Sequence, residues 1–190
     1  AWRLDQESFI QNMDFVNLAK LRASYGQVGN DAGIDYYAYQ ALYSLGYNNQ
    51  AEMGIIQDKL EAKSLVWESN NSYDIGLEFG FFNQLFGTVE FYHRVSDNLL
   101  FDVPLPLSSG LESVTENIGT MFNQGIEVSL SWDAIKNQNV RWNISANFTT
   151  LKNEFTKLPQ EEIIDGSKKL MEGRSIYDYW LREWYGVDPD

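Results

Sequence analysis

The sequence contains no cysteine and a single histidine, His93, and these two shortages remove whole classes of chemistry. Without cysteine there is neither a disulfide framework nor a thiolate metal site. A His-based zinc site or a Ser-His-Asp triad would have to rest on His93 alone. Basic residues are also scarce: 14 Lys and Arg, scattered along the chain, stand against 27 Asp and Glu, for a formal net charge of -13. The electrostatic footprint of nucleic-acid binding is therefore missing. No stretch reaches the run of about 18 uncharged apolar residues that a membrane-spanning helix needs. The glycines lack the strand-loop-helix spacing of a phosphate-binding loop, and nothing in the sequence calls for a cofactor or a metal.

Aromatic side chains, by contrast, are abundant: 11 Tyr, 11 Phe and 6 Trp in 190 residues, although only 44% of the chain is hydrophobic and its mean hydropathy is -0.37. A chain that is aromatic-rich without being apolar overall is expected where each strand has one apolar and one wet face, so that the two average out. The order of the residues bears this out as two-residue alternation. Over 18–26, Ala19, Leu21, Ala23 and Tyr25 oppose Lys20, Arg22, Ser24 and Gly26. Over 72–81, Tyr73, Ile75, Leu77, Phe79 and Phe81 oppose residues that are small or charged throughout. Over 86–95, Val89, Phe91 and Val95 oppose Thr88, Glu90, Tyr92 and Arg94; over 125–132, Ile126, Val128, Leu130 and Trp132 oppose Gly125, Glu127, Ser129 and Ser131. Over 141–150, Trp142, Ile144, Ala146 and Phe148 oppose Arg141, Asn143, Ser145, Asn147 and Thr149.

These segments predict an all-β, antiparallel meander of about six strands, near 18–28, 67–82, 85–96, 120–133, 140–152 and 175–186. Residues 36–45 are expected either to extend a strand or to form an ordered loop. The links alternate in length: 82–85 and 133–140 are short, whereas 27–66, 96–122 and 151–174 are long and polar. Aromatics flank the short links, with Phe81, Phe82 and Phe86 at one and Trp132 and Trp142 at the other. Short turns on one side, long loops on the other and an aromatic girdle are the marks of an outer-membrane barrel. A soluble, carbohydrate-binding β-sandwich with a wet outer face remains the alternative. The sandwich predicts a chain that dissolves without detergent and unfolds cooperatively; six strands of a large barrel would leave open edges and an unsatisfied lipid face.

Ordered phrases add a resemblance. Leu21-Arg22-Ala23-Ser24-Tyr25-Gly26-Gln27-Val28-Gly29-Asn30 is followed by Trp67-Glu68 and by Tyr73-Asp74-Ile75-Gly76-Leu77-Glu78-Phe79-Gly80-Phe81-Phe82-Asn83. After these come Asp97-Asn98-Leu99-Leu100, Val103-Pro104-Leu105-Pro106, Ser108-Ser109-Gly110, Asn117-Ile118-Gly119, Asn123-Gln124-Gly125-Ile126-Glu127 and finally Tyr185-Gly186-Val187-Asp188-Pro189. In this order they resemble the last third of SusC/RagA-type TonB-dependent receptors, from about Phe15 to Asp190. The resemblance implies a transmembrane barrel of about 22 strands in the bacterial outer membrane, filled by a plug and capped by a SusD-like lipoprotein. It implies TonB-driven import of an oligosaccharide or a peptide, with outer-membrane lipid around the wall, rather than an enzyme. The chain opens without a charged-then-apolar leader and stops in mid-phrase, so it reads as a piece of the barrel domain without the plug, the TonB-contacting segment or the last strands.

Among candidate site residues, the loop tyrosines Tyr36, Tyr37, Tyr39, Tyr43 and Tyr47 come first, because a ring with a hydroxyl suits stacking on a sugar or contact with a partner. The bland reading is that they extend the sheet. Two acidic groups, Glu161, Glu162 and Asp165, and Asp58 with Glu61, read as solvated loop faces; a glycosidase pair or a loop calcium site is the minor alternative. His93, on the face of Phe91 and Val95, reads as structural or interfacial. Lys20, Arg22, Asp74, Glu78, Glu90, Arg94, Glu127 and Arg141 share the inner face and are expected to pair across strands or hold the plug.

Overall fold

Alternating residues become strands because each side chain on a pleated backbone points away from its neighbours' face. A computed structural model describes residues 1–32, 34–111, 113–165 and 167–187. Its strands are β1 (Trp2–Arg3), β2 (Val16–Asn30), β3 (Leu42–Leu45), β4 (Ile55–Lys59), β5 (Glu68–Phe81), β6 (Leu85–Asp97) and β7 (Leu100–Pro104), then β8 (Ser113–Asn117), β9 (Thr120–Lys136), β10 (Arg141–Thr149), β11 (Lys152–Lys157), β12 (Glu162–Asp165) and β13 (Lys168–Met171). One antiparallel sheet has the order β1-β2-β5-β6-β9-β10, with β11 also paired to β9. The remaining strands form the separate hairpins β3–β4, β7–β8 and β12–β13. The sheet is open, and its strands follow one another in sequence, as in a barrel wall.

Each long link thus carries a hairpin of its own. Residues 36–45 resolve into a turn followed by β3, which pairs with β4 and not with the main sheet. Two boundaries differ from expectation. The strand near 120–133 runs on to Lys136, with a bulge opposite the Trp142/Asn143 step that keeps Ile135 against Trp142. The strand near 140–152 breaks after Thr149, where the Thr150 N–H bonds the Ile126 carbonyl and the Thr150 hydroxyl accepts from the Ile126 N–H. The strand expected over 175–186 is not formed. The β-pairing of residues 175–187 is limited to the isolated bridge between Tyr179 and Lys168 of β13, and the Ile176 N–H bonds the Asn153 side chain instead of a neighbouring backbone. Asp188 and Pro189, which close the last family phrase, lie outside the described residues.

The chain divides into two compact units. The first (Ala1–Val28, Asn71–Val95, Phe122–Lys152) contains the alternation. Its β9–β10 register sets apolar against apolar and polar against polar: Trp132 faces Ile144, Leu130 faces Ala146 and Val128 faces Phe148, while Ser131 faces Ser145 and Ser129 faces Asn147. Much of the apolar face is uncovered: from Leu130 at 36% to Phe148 at 62%, many of its large side chains are exposed, while Phe79, Phe81 and Val128 are half-buried. At the short link, Phe82 and Asn83 both take positive φ, the two central positions of a tight hairpin turn. Phe82 tolerates this unusual conformation because its ring stacks 5.7 Å from Phe15 and its N–H bonds the Phe15 carbonyl.

The second unit (Gly29–Asn70, Ser96–Met121, Asn153–Asp190) has a small core. Phe155, Leu158 and Leu170 are buried, packed by Leu99, Phe101, Met121, Ile163 and Ile176. Family phrases fasten this unit together. Glu68 accepts from Asn30 and from the Leu100 N–H, and Asn117 exchanges two bonds of 2.7 Å with the Val66 backbone while reaching the Asn98 carbonyl.

Gly125 tests the first unit. A Cβ there would lie 2.0 Å from the Thr150 carbonyl and 2.7 Å from the Tyr92 hydroxyl. In the intact protein, Gly125→Val is expected to cost at least about 1–3 kcal/mol in thermal unfolding. Gly26→Ala, which meets nothing within 4 Å, is the neutral control.

Candidate functional site

Residues able to recognise a ligand gather in the second unit around β3 and β4. Register puts Leu42 opposite Lys59, Tyr43 opposite Gln57 and Leu45 opposite Ile55. The strands are joined through Gly46, whose φ of 98° favours glycine, and the turn that follows it is closed by the Asn49–Glu52 bridge. Before β3, the turn at 35–38 is pinned twice: the Lys59 ammonium meets the Asp35 carboxylate at 2.8 Å, and the Ala62 N–H bonds the Ala38 carbonyl at 3.0 Å.

Two concavities lie here. One, of about 520 Å³, is bounded by β4, the 34–38 turn and parts of the β7–β8 hairpin, and Tyr47, Asp35, Asp58, Lys59, Asp102 and Thr115 line it. The other, of about 280 Å³, is lined by Tyr36, Tyr39 and Trp67 together with Asp31 and Lys63. Both share Ile34, Asp35, Ala38, Ala62 and Leu65. Of the five tyrosines singled out in the sequence, the fold therefore brings Tyr36 and Tyr39 to one wall and Tyr47 to the adjoining cleft. Tyr37 and Tyr43 are exposed but line neither concavity. Sequence reasoning missed Trp67 as a lining residue, and missed Asp35, Lys59 and Asp102. Trp67 had a signal in its position beside Glu68 at the end of a long loop, whereas Asp102 comes near Lys59 only through the folded chain.

Hydrogen bonding from Lys59 holds the Asp35 carboxyl below the usual carboxylate range. Asp35 in turn raises Lys59, with smaller help from the charges of Asp58 and Asp102. In the β7–β8 hairpin, the Thr115 hydroxyl donates to Asp102 at 2.7 Å. The arrangement offers aromatic faces, carboxylates and the ammonium groups of Lys59 and Lys63, which are the equipment of recognition.

The other candidates fall into structural places. Glu61 pairs with Lys63 at 2.9 Å and Glu162 with Lys169; the Asp165 side chain lies outside the described ones. Among the described residues no group of three acids or histidines is placed to hold a metal. His93 sits between the rings of Tyr73 and Phe122, with Nδ1 3.1 Å from Gln124, in keeping with a packing role. On the polar face of the first unit, Lys20 reaches Glu78 at 3.1 Å, Arg22 bridges Glu78 and Glu90, Ser24 donates to Asp74, and Arg94 lies 5.3 Å over the Tyr92 ring. Arg141 grips Asp133 at 3.1 Å. Lys20, Arg22 and Arg141 thus pair with carboxylates on other strands, while Arg94 rests on Tyr92 of its own strand.

Residues 7–178 match a family model described as "TonB dependent receptor-like, beta-barrel". Over 98% of its length the chain is 32% identical to TonB-dependent receptor P39 of Formosa agariphila, and over 83% it is 31% identical to TonB-dependent receptor SusC of Bacteroides thetaiotaomicron. The RagAB peptide importer in its closed-closed state superposes with a TM-score of 0.78 at 30% identity, covering 90% of this chain. The chain spans between 16 and 19% of the length of these relatives.

The Asp35–Lys59 pair predicts a pH window. Because Asp35 is lowered, its contribution is present above the ordinary carboxylate value of about 4 and is lost as pH falls; because Lys59 is raised, its contribution persists to about 10.4 and is lost above. Hydrogen-exchange protection of the Ala62 amide, corrected for the intrinsic rate, should be flat between these limits and drop on the acid side. Asp35→Asn should abolish that acid step. An acid step that survives in the variant means that the pair does not hold the turn.

Proposed function

The chain belongs to the TonB-dependent receptor-like β-barrel family, and we propose that the intact protein imports a nutrient across a bacterial outer membrane. Here these residues supply barrel wall and outward loops. The observation that carries this reading is the largely uncovered apolar face of the first unit, set against a polar face on which Lys20, Arg22 and Arg141 pair with carboxylates. A wall between lipid and a wet lumen needs that division. A soluble sandwich would bury the face that carries Trp132, Ile144 and Phe148, and those side chains stand 41–62% exposed.

Import is then a process of binding and gating. Tyr36, Tyr39, Tyr47 and Trp67 recognise the ligand, an oligosaccharide or a peptide too large for passive pores. A SusD-like surface lipoprotein presents it, and TonB acts on a plug supplied by the parent protein. The inner-face charges of β2, β5 and β6 have a second use as the surface against which such a plug rests. Support comes from the relatives: one is named SusC and another is titled a peptide importer, and receptors of this family are transporters and not enzymes.

Two measurements test the reading. In the full-length protein reconstituted in a bilayer, Leu130→Arg should cost about 2–4 kcal/mol of folding stability if it lies near the bilayer midplane, and Ser129→Arg much less. Equal costs would remove the lipid face. In cells, uptake of the protein's nutrient should fall at least about tenfold when Tyr36, Tyr39 and Tyr47 are all changed to Ala, since each ring is worth about 0.5–1.5 kcal/mol of contact. Unchanged uptake would show that these loops do not recognise the ligand.

A further inference from the structure

The two adjoining concavities differ in chemistry in a way that selects among ligands. In the larger, Asp35, Asp58 and Asp102 surround the single ammonium of Lys59. Lys59 bonds Asp35 at 2.8 Å, which leaves the carboxylates of Asp58 and Asp102 without a lysine of their own. Thr115 donates to Asp102, fixing that carboxylate in the wall without neutralising it. One cation among three anions leaves two negative charges in a cleft of about 520 Å³, a volume within the usual range for small-ligand sites. The smaller concavity adds the aromatic faces of Tyr36, Tyr39 and Trp67, and Asp35 and Ile34 stand in the wall common to both. Aromatic faces attract organic cations as well as apolar groups.

We propose that this cleft binds a guanidinium or ammonium group carried on an extended peptide, with a neighbouring apolar or aromatic side chain of the same peptide lodged against Tyr36, Tyr39 and Trp67. A neutral sugar would gain stacking from the aromatic wall and nothing from the two excess charges. An acidic ligand would be repelled by them. A basic side chain next to an apolar one meets both halves of the site at once, and charge complementarity at the outer loops raises its rate of encounter. The proposal rests on the import reading above, and it narrows the nutrient to basic peptides.

The test uses the full-length receptor purified in detergent and four probes: three fluorescent pentapeptides identical except for a central Arg, Gln or Glu, and a neutral glucose hexasaccharide. The Arg peptide is expected to bind about tenfold tighter than the Gln peptide at low salt, with the Glu peptide weaker still. That ratio should shrink when salt rises to about 0.3 M, a comparison that needs no variant. Asp58→Asn together with Asp102→Asn should bring the Arg and Gln affinities together; heat-modifiable migration on gels checks that the variant is folded. Equal affinities for the three peptides, a ratio unmoved by salt, binding of the hexasaccharide alone, or no binding by any probe would each overturn the proposal. The import reading is judged separately, by the unequal costs of Leu130→Arg and Ser129→Arg in a bilayer.

Discussion

The fact on which everything else depends is that this sheet carries an apolar face with nothing in its own unit to cover it. Among the described residues only Tyr92, Phe155, Leu158 and Leu170 are buried hydrophobics, and just one of these, Tyr92, belongs to the first unit. In water, contiguous exposed apolar surface of this kind drives association or aggregation. The alternation that exposes it is nonetheless strict, and strictness is what a two-solvent environment demands: a slip of one residue would exchange every lipid-side and water-side group. The bulge between β9 and β10 shows how firmly the division is kept. An extra residue is absorbed so that Ile135 still meets Trp142 while Asp133 meets Asn143.

The polar face follows from the same constraint. Like charges directly across strands destabilise a sheet, so carboxylates on its polar side are favoured where cations stand among them. Lys20, Arg22 and Arg141 are the partners, and they reach sideways to Glu78, Glu90 and Asp133. Gly76 makes room for one of them: a Cβ there would lie 2.7 Å from the Arg22 guanidinium nitrogen. Individually such half-exposed pairs contribute little to stability. Their sharper effect is on register, because each links residues that meet only in one alignment of their strands, β2 with β5 and β6 for Lys20 and Arg22, and β9 with β10 for Arg141.

This is why the wall was legible in the sequence and the loops were only partly so. Period-two patterning is a local property, so four of the six expected strands emerge nearly where alternation placed them, and a fifth emerges split in two. The break at Thr150 depends on a side chain meeting Ile126 across the sheet, and no local pattern announces that. The strand expected over 175–186 shows the converse limit: Tyr179, Trp180, Leu181 and Trp184 have strand-like composition, but a strand exists only against a partner. The hairpins β3–β4, β7–β8 and β12–β13 escaped detection because they are four or five residues long, too short for alternation to stand above chance. The tyrosines were visible as a crowd, yet which of them share a wall depends on where Trp67, Asp102 and Thr115 fold, and those are distant in sequence.

The family phrases point to the reason loops of this length hold a defined shape at all. A long connection gains little from its own backbone and loses much entropy on ordering, so a recognition surface built on one needs fasteners. In the second unit the fasteners are the phrase residues themselves: Asn30 and Leu100 converge on Glu68, Val66 and Asn98 converge on Asn117, and Gly29 lies flat against the Trp67 ring. Such bonds tie the bases of the connections and leave their tips free of the constraint. The small core around Phe155 does the same for the segment from β11 onward. Tyr36, Tyr39 and Tyr47 belong to stretches outside these positions, and the turn that carries Tyr36 is held instead by Lys59 on Asp35 and by the Ala62 N–H on the Ala38 carbonyl.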